Sequence, residues 1–354
     1  MISGKNLNAL AGALLVSLGT SVLAATTVAP PREPRMSRDP DLGTYAKGPQ
    51  LVQPPALQAE LMALTIGGIE DRRARLKRKV LNDLIFVKGG TFMMGDFGPS
   101  WSPEQLYFSS GVDNKPAHKV TLTSYSLSRY KTTYAEFDVF TDATGRPRAA
   151  ATWWNGVNRH PVVPAGLYWQ HAKDYCTWLA RETGVPFDLS TEAQWEYAAR
   201  SGGQNFIWAT DNGHLDVGRN APSYEQTRLL GPVTRVNPSV QRTSLHPVGM
   251  FPPNPLGFYD MSSNGWEWMQ DWYDASYYQV SPERDPKGPA SGTLRVERGY
   301  AEGDYPSGGV LNRFSRDPLT TRRDIGTGII GPGVAATHTV RCAVNLARPI
   351  AGVK

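Results

Sequence analysis

Two residues that could do chemistry lie close together near the C-terminal end of the sequence. His338 and Cys342 are four residues apart, and a Cys with a nearby His is typical of a nucleophile or of a metal-ligand set. The surrounding segment is rich in glycine and proline, leads into a predicted strand and offers no third ligand nearby. A buried structural thiol at Cys342 is therefore the preferred interpretation, with a reactive pair as the alternative.

The rest of the sequence adds no second catalytic pattern. Neither an HxxxH nor an HxH spacing occurs among the other histidines, which are His118, His160, His171, His214 and His246. An iron or zinc enzyme is therefore not indicated, and GxSxG elbows, P-loops and dinucleotide fingerprints are absent from the sequence. Cys176 falls on the apolar stripe of a predicted helix and is interpreted as a core residue. Two cysteines permit at most one internal disulfide.

The composition argues against two classes of protein. A net charge of +5 on 354 residues is too small for the concentrated basic surface that binds nucleic acid. The 35 Gly, 28 Pro and 10 Trp are typical of a loop-rich fold with aromatic packing, rather than of a helical bundle or a regular parallel sheet.

Residues 1–24 predict a cleaved signal peptide. Lys5 provides a positive start, a short apolar run follows, and small residues precede a cleavage point near Ala24. The run is too short to span a bilayer, and no later stretch approaches about 18 consecutive apolar residues. Because no Cys stands at the cleavage point, a lipid anchor is not expected. We therefore expect an exported, periplasmic protein.

The sequence predicts that residues 25–84 form an extension before the globular domain. The first part, to about residue 53, is rich in proline and is predicted to be an extended or disordered tether. Helices are predicted at residues 56–64 and 70–84, and the second carries six Arg or Lys between residues 72 and 79. Two interpretations remain open for it. It is either a helix with a packed stripe and a solvated basic face, or a docking helix for an acidic partner or a membrane surface.

The sequence pattern predicts a globular domain over residues 85–350. Apolar residues on both sides of Gly89 and Gly90 predict a strand, a tight turn and a strand, and residues 118–122 alternate as a further strand. Helical spacing predicts three more helices, one ending at Gly145, one over residues 168–179 and one that begins after Thr191, where Gln194 completes a capping box. These elements indicate an α+β domain.

Several separate segments resemble, in the same order, the formylglycine-generating-enzyme family, whose members are also called sulfatase-modifying factors. They are Phe92–Gly95, Ala172–Leu179, Leu189–Arg200, His246–Val248, Asn254–Tyr259, Asn264–Trp268, Asp271–Trp272, Arg295–Gly299 and Arg341–Ala343. The resemblance spans roughly residues 85 to 348 and implies a single compact α+β domain with little regular secondary structure, related to the C-type-lectin-like arrangement.

The resemblance implies a calcium site. The family's second Ca²⁺ site falls on Asp260, Ser263, Gly265 and Glu267, where the first and last contribute side-chain oxygens and the middle pair contributes carbonyls. Calcium prefers about six to eight hard oxygen ligands, and a glycine-containing turn can direct carbonyls inward. The alternative is that Glu267 forms a local pair and the neighbouring tryptophans fill the core. The family's other site would begin at Asn220, but the following stretch lacks the expected carboxylate, so calcium is not expected at this other site.

The resemblance also implies that the oxidase pocket is altered. Enzymes of the family use a C-x4-C pair that binds copper and activates oxygen, and they oxidise a substrate cysteine to formylglycine. Cys342 matches the second cysteine, but the first falls on Thr337, whose hydroxyl cannot replace the thiolate that copper(I) selects. Two further pocket positions are occupied by Val334 and Ala301, and His338 lies beside them in the sequence. No copper is expected, and no catalytic residue is assigned.

A non-catalytic extracytoplasmic binding or regulatory protein is therefore predicted. In plan the chain resembles the accessory protein of the type VI secretion threonine-phosphorylation pathway, which acts upstream of a transmembrane Ser/Thr kinase. The expected partner is a protein of the cell envelope, either an outer-membrane lipoprotein or the periplasmic part of the kinase, and the basic helix could add peripheral membrane association.

Two alternatives remain. One is a periplasmic oxidase-type enzyme with different chemistry, as in a relative that matures a siderophore chromophore. The polar residues that could line its pocket are Glu302, Asp304, Arg313, Arg316 and His338. The other is a surface structural component of a motility machine, against which the missing lipobox Cys counts.

Overall fold

The computed structural model describes residues 53–149, 159–223, 226, 245–300, 309–319, 321–323, 330–332 and 337–350. All of them belong to one compact unit, residues 47–354. The predicted signal peptide and most of the proline-rich tether lie outside the described residues, as do Ala301, Glu302, Asp304 and Val334.

The described residues form short elements of both types. The helices are α1 (Pro55–Ala63), α2 (Ile69–Asn82), α3 (Gly98–Trp101), α4 (Tyr134–Thr144), α5 (Trp169–Thr183) and α6 (Glu192–Ala199). The strands are β1 (Leu84–Val87), β2 (Thr91–Met94), β3 (His118–Thr121), β4 (Tyr125–Ser128), β5 (Phe187–Leu189), β6 (Gly265–Trp272), β7 (Arg295–Tyr300), β8 (Phe314–Arg316), β9 (Thr321–Arg323), β10 (Ile330–Pro332), β11 (His338–Thr339) and β12 (Cys342–Val344). Within these ranges, no helix has both the length and the apolar character that crossing a membrane requires.

The strands form two four-stranded sheets and two hairpin-like pairs. The first sheet has the order β1-β4-β12-β5 and the second the order β11-β6-β7-β8, while β2 pairs with β3 and β9 with β10. The pairing of β11 with β6 is parallel and the other pairings are antiparallel. The predicted α+β architecture is confirmed. The strands on both sides of Gly89 and Gly90 are also confirmed, although they belong to different sheets.

Local hydrogen bonds explain where the predicted helices begin and end. At the start of α4, the Thr133 hydroxyl accepts from the Glu136 amide, and the Glu136 carboxylate accepts from the Thr133 amide. Gly145 ends the helix in the left-handed conformation, with φ +66°, which glycine adopts without a steric penalty. The capping box predicted at Thr191 and Gln194 opens α6 and is confirmed. These contacts satisfy amides that a helix terminus would otherwise leave unpaired.

The basic helix α2 packs on the domain. Leu76 and Val80 are buried in the same apolar cluster as residues of α4 and α5. Four of its six basic side chains bond within the chain: Arg72 to Asp142, Arg73 to Glu182, Arg75 to the carbonyls of Ala63 and Ile66, and Lys79 to Glu136 and Asp83. The predicted packed stripe is confirmed, and Arg78 is exposed as expected for a solvated face. Lys79 departs from that prediction because it is buried against Glu136 and Asp83.

A disulfide joins helix α5 to the first sheet. Cys176 on α5 and Cys342 on β12 form this bond, with their Cα atoms 5.6 Å apart, and both residues are buried. The interpretation of Cys342 as a buried free thiol is wrong. The pairing of β12 with β5 places Cys342 beneath the apolar stripe of α5, within bonding distance of Cys176.

Candidate functional site

The oxygen atoms predicted to hold calcium surround a lysine. Lys131, between β4 and α4, is fully buried, and its ammonium donates to the carbonyls of Ser263 at 2.9 Å, Asn264 at 3.2 Å and Gly265. Its Nζ also lies 3.6 Å from Oε1 of Glu267. Burial lowers the pKa of Lys131 to about 8, with the Glu267 carboxylate acting in the opposite direction. The three carbonyls and the carboxylate that surround Nζ favour its charged form.

The two predicted carboxylate ligands already have partners. Arg341 donates from Nε to Oε2 of Glu267 at 2.6 Å and from Nη2 to Oε1 at 3.1 Å. Oδ2 of Asp260 accepts from the Gly249 amide at 2.9 Å. Oδ1 of Asp260 is the one buried carboxylate oxygen of this loop without a hydrogen-bond partner in the described part of the chain.

These residues do not fit a calcium ion while Lys131 keeps its position. The three carbonyls and Glu267 converge on the ammonium, and a single unpaired carboxylate oxygen falls far short of about six to eight oxygen ligands. Two cations, Lys131 and Arg341, already pair with Glu267. Across the described residues, no group of three or more His, Cys, Asp or Glu is placed to hold a metal.

The family's other calcium site, at Asn220, has the structure of a turn in this protein. Asn220 is buried, and its amide group bonds to Asp211 and to the carbonyl of His214 while its oxygen accepts from the Asp216 amide. These contacts stabilise the turn from residue 211 to residue 220. Most of the stretch after it lies outside the described residues.

His338, from the predicted oxidase pocket, forms a pair with Glu297. Nδ1 of His338 lies 2.6 Å from Oε1 of the fully buried Glu297. The imidazole stacks on the Trp266 ring at 5.6 Å between centroids, and Nε of Arg316 lies 3.5 Å from the second Glu297 oxygen.

The structure does not bring His338 and Cys342 into a common site. Cys342 lies in the apolar cluster and is bonded to Cys176, whereas His338 contacts Glu297 and aromatic rings. Thr337 follows the undescribed segment, and its carbonyl accepts from the Trp266 amide. The His–Glu pair can orient an imidazole for proton transfer, but its hydrogen bonds reach no Ser, Thr or Cys nucleophile in the ranges the structure describes.

Sequence reasoning missed Glu297 as the partner of His338. The segment Arg295–Gly299 gave a partial signal. Because side chains alternate along a strand, Glu297 must lie on the same face as residues 295 and 299. The pairing of β7 with β6 and of β6 with β11 then places this face beside His338. Sequence alone does not give these pairings.

A buried network of charges was also missed. Glu192, Glu196 and Arg200 recur every four residues on α6, so they share one face. Arg298 donates to Glu192 and Glu196, each at 2.7 Å, and Arg313 donates to both oxygens of Glu192. Burial raises the pKa of Glu192, but the two arginines outweigh it and hold that pKa below its ordinary value. The network links α6 to β7 and to the start of β8.

Asp271, beside this network, is expected to make stability depend on pH. Burial raises its folded-state pKa to about 8, with Glu192 nearby adding to the rise. The unfolded value is about 3.9, so the folded state binds this proton more tightly. The resulting stability is complete below about pH 4, falls as pH rises and is lost above about pH 8. Asp271→Asn, which keeps an oxygen for the Glu192 amide, should remove this dependence.

Urea unfolding of both proteins between about pH 5 and pH 8 measures the effect. The stability of the Asn variant should rise relative to the parent by about 2 to 4 kcal/mol across this range, since one unit of pKa difference corresponds to about 1.4 kcal/mol. Asp274→Asn is the matched control, because Asp274 is exposed and its pKa is lowered by hydrogen bonds from Ser276. A constant difference between the Asp271 variant and the parent over this range would contradict the prediction.

Comparison with known proteins agrees with this fold. Residues 71–325 match the family described as Sulfatase-modifying factor enzyme 1-like domain. The mouse formylglycine-generating enzyme is 28% identical over 263 residues, which cover 62% of this chain and 66% of the enzyme. The serine/threonine-protein kinase pkn1 of Chlamydia pneumoniae is 29% identical over 290 residues, which cover 75% of this chain and 38% of the kinase.

A solved structure supports the same assignment. The structure of PvdO from Pseudomonas aeruginosa superposes with a TM-score of 0.53 and 25% sequence identity, covering 74% of this chain and 94% of PvdO. The chain spans about two thirds of the mouse enzyme and little more than a third of the chlamydial kinase. The family match covers more than half of the sequence. The chain therefore belongs to the sulfatase-modifying factor enzyme 1-like family, that of the formylglycine-generating enzyme.

Proposed function

We propose that this protein is an exported, non-catalytic member of the family that binds and regulates an envelope Ser/Thr kinase controlling type VI secretion. The observation that carries the non-catalytic part is the state of the cysteines. The chain has two, and they are bonded to each other in the core. No thiolate remains to bind copper(I) in the way that the family's oxidases require.

The relatives support a link to kinases. Three chlamydial proteins named serine/threonine-protein kinase pkn1 match this chain, which covers 35% to 38% of their length. A domain like this one is therefore part of proteins named as kinases. A separate chain with the same domain could act on a kinase across an interface.

The disulfide supports export. Disulfides persist in oxidising compartments such as the periplasm and are rare in the cytosol of mesophiles. This agrees with the signal peptide predicted at residues 1–24 and with a kinase partner that presents a periplasmic part.

The segment from residue 101 to residue 112 is the surface that we propose for the partner. Five of the ten large apolar side chains that are exposed among the described residues fall within it: Trp101, Leu106, Tyr107, Phe108 and Val112. Such a concentration of exposed apolar residues marks protein-binding surfaces. Trp101 and Tyr107 are also of the types that dominate the binding energy of interfaces.

A buried carboxylate organises this segment. Asp96 accepts hydrogen bonds from the amides of Gly98 and Phe108 and from both the amide and the hydroxyl of Ser109, at 2.8 to 3.1 Å. These bonds tie Phe108 and Ser109, within the segment, to the chain just before it, while the apolar side chains of the segment stay exposed. Such preorganisation reduces the entropy lost on binding.

Deleting the gene and measuring threonine phosphorylation of the envelope kinase tests the proposal. We expect the deletion to abolish phosphorylation and the parent gene to restore it. A variant with Trp101→Ala and Leu106→Ser should fail to restore it and should recover about tenfold less kinase in a pull-down from the envelope, as for loss of a binding hot spot. Val280→Ser is the matched control, since Val280 is 76% exposed and lies outside the segment.

Unchanged phosphorylation in the deletion strain would refute the kinase assignment. Normal phosphorylation with the double variant would instead refute the segment as the contact. Performing the pull-down with and without a chelator also shows whether the interaction depends on calcium.

The alternative, an oxidative periplasmic enzyme with different chemistry, has support from the His338–Glu297 pair beside Arg316. A stoichiometric redox metal in the purified protein, lost in His338→Ala, would favour this alternative. Restoration of kinase phosphorylation by His338→Ala would favour the regulator.

A further inference from the structure

We propose that the ammonium group of Lys131 is a built-in replacement for a bound metal cation, so that this protein forms its loop before β6 without calcium. The proposal rests on the disagreement between the ligand set implied by family resemblance and the group that the structure places at its centre. It concerns folding and does not depend on the proposed function.

The number and direction of the oxygen atoms match an ammonium group. Three consecutive carbonyls, those of residues 263–265, accept from Lys131, and an ammonium has three donors. Consecutive carbonyls converge in this way because Asn264 and Gly265 have positive φ values of +60° and +101°. A side chain at position 265 would also approach the Thr337 carbonyl to within 2.9 Å, so glycine is required there.

The loop needs a cation of some kind. The three carbonyls and the Glu267 carboxylate are buried, and without a positive charge their negative ends would face one another in a region of low dielectric. Lys131 supplies that charge. Its position is held by its neighbour Thr132, whose amide donates to the Val340 carbonyl and whose own carbonyl accepts from Ala165.

A divalent ion would disturb the balance of charge at this site. Arg341 bonds both oxygens of Glu267 and also donates to the carbonyls of residues 128, 129 and 259. With Lys131 present, the buried positive and negative charges of the loop are equal in number. The carbonyls of residues 263–265 and the Glu267 carboxylate form a cage around the ammonium. Calcium binding would therefore require Lys131 to leave this cage. A chelator cannot remove a cation that is covalently part of the chain.

Thermal unfolding of the purified full chain tests the proposal directly. The midpoint temperature should differ by less than about 1 °C between EDTA and millimolar CaCl₂, because an ion stabilises a fold only when it binds the folded state. Elemental analysis should find no stoichiometric calcium. An increase of about 4 °C or more with calcium, as expected for a site at a hundred times its Kd, would overturn the proposal.

Two variants test the role of Lys131 itself. Lys131→Ala removes the ammonium and opens the centre of the cage, so the variant should unfold at a lower temperature than the parent and recover part of the loss in calcium but not in magnesium. Lys119→Ala is the matched control, since Lys119 is 61% exposed, and neither its midpoint nor its calcium response should change. If neither the parent nor Lys131→Ala responds to calcium, the cage is specific for lysine and the replacement hypothesis fails. Should Lys131→Ala not fold, the calcium response and calcium content of the parent decide the question.

Discussion

Replacing both Cys176 and Cys342 with alanine is expected to lower the free energy of unfolding by about 3 to 5 kcal/mol. The disulfide links residues 166 positions apart, so it closes most of the domain into one loop. Closing a long loop removes conformational entropy from the unfolded chain, and the gain increases slowly with loop length. The bond also holds α5 against β12 at the centre of the first sheet. Urea unfolding followed by tryptophan fluorescence measures the effect.

Reduction of the parent protein provides the control. Because the chain has two cysteines, a reductant acts on this bond alone and should reproduce the loss seen in the double variant. The double variant should not respond to the reductant. If the oxidised and reduced parent proteins unfold at the same urea concentration, the bond does not stabilise the fold.

Local features of the fold could be predicted from the sequence. The capping box at Thr191 and the glycine that ends α4 depend on residues within a few positions of one another. Hydrogen bonds between near neighbours leave a pattern in the sequence, so these features and the longer helices were predicted, whereas the capping box at Thr133 was not.

Contacts between distant residues could not be predicted in this way. Lys131 lies more than 130 positions before the carbonyls that it bonds, and a lysine after a strand has the pattern of an exposed residue. The acidic partners of α2 belong to helices much later in the chain. The sequence showed that one disulfide could form, but the pairing of β12 with β5 determines that it does.

The calcium loop shows what residue-by-residue transfer leaves out. Asp260, Ser263, Gly265 and Glu267 can all be matched to a family ligand set, and the loop they form does direct its carbonyls to one point. This match identifies the residues that would bind an ion, but it does not show which cation lies between them. A substitution elsewhere in the chain can place a new cation there while every ligand position stays the same.

Glu192→Ala is expected to destabilise the fold as strongly as loss of the disulfide, by about 3 to 5 kcal/mol, because removing one partner leaves buried charges uncompensated. Glu192 accepts two bonds from Arg313 and one from Arg298, and both arginine side chains are fully buried. After the substitution Arg298 still pairs with the Glu196 carboxylate. Arg313 loses its carboxylate partner and keeps hydrogen bonds to the backbone carbonyls of Asp113 and Asp274. Desolvated guanidinium groups cannot lose their charge at any accessible pH, so the fold must bear the full cost.

Two other variants show which property of Glu192 matters. One removes its charge and keeps its shape, and the other removes a carboxylate that is exposed. Glu192→Gln keeps the shape and some of the hydrogen bonds and should lie between the parent and Glu192→Ala in urea unfolding. Glu283→Ala removes an exposed carboxylate that pairs with Lys119 at 3.0 Å, and it should leave the midpoint nearly unchanged because solvent screens such pairs. If Glu192→Ala and Glu283→Ala had the same small effect, the network would not hold α6 against β7. A large effect of Glu192→Ala alone would establish this buried carboxylate as the group that fixes Arg298 and Arg313 in the core.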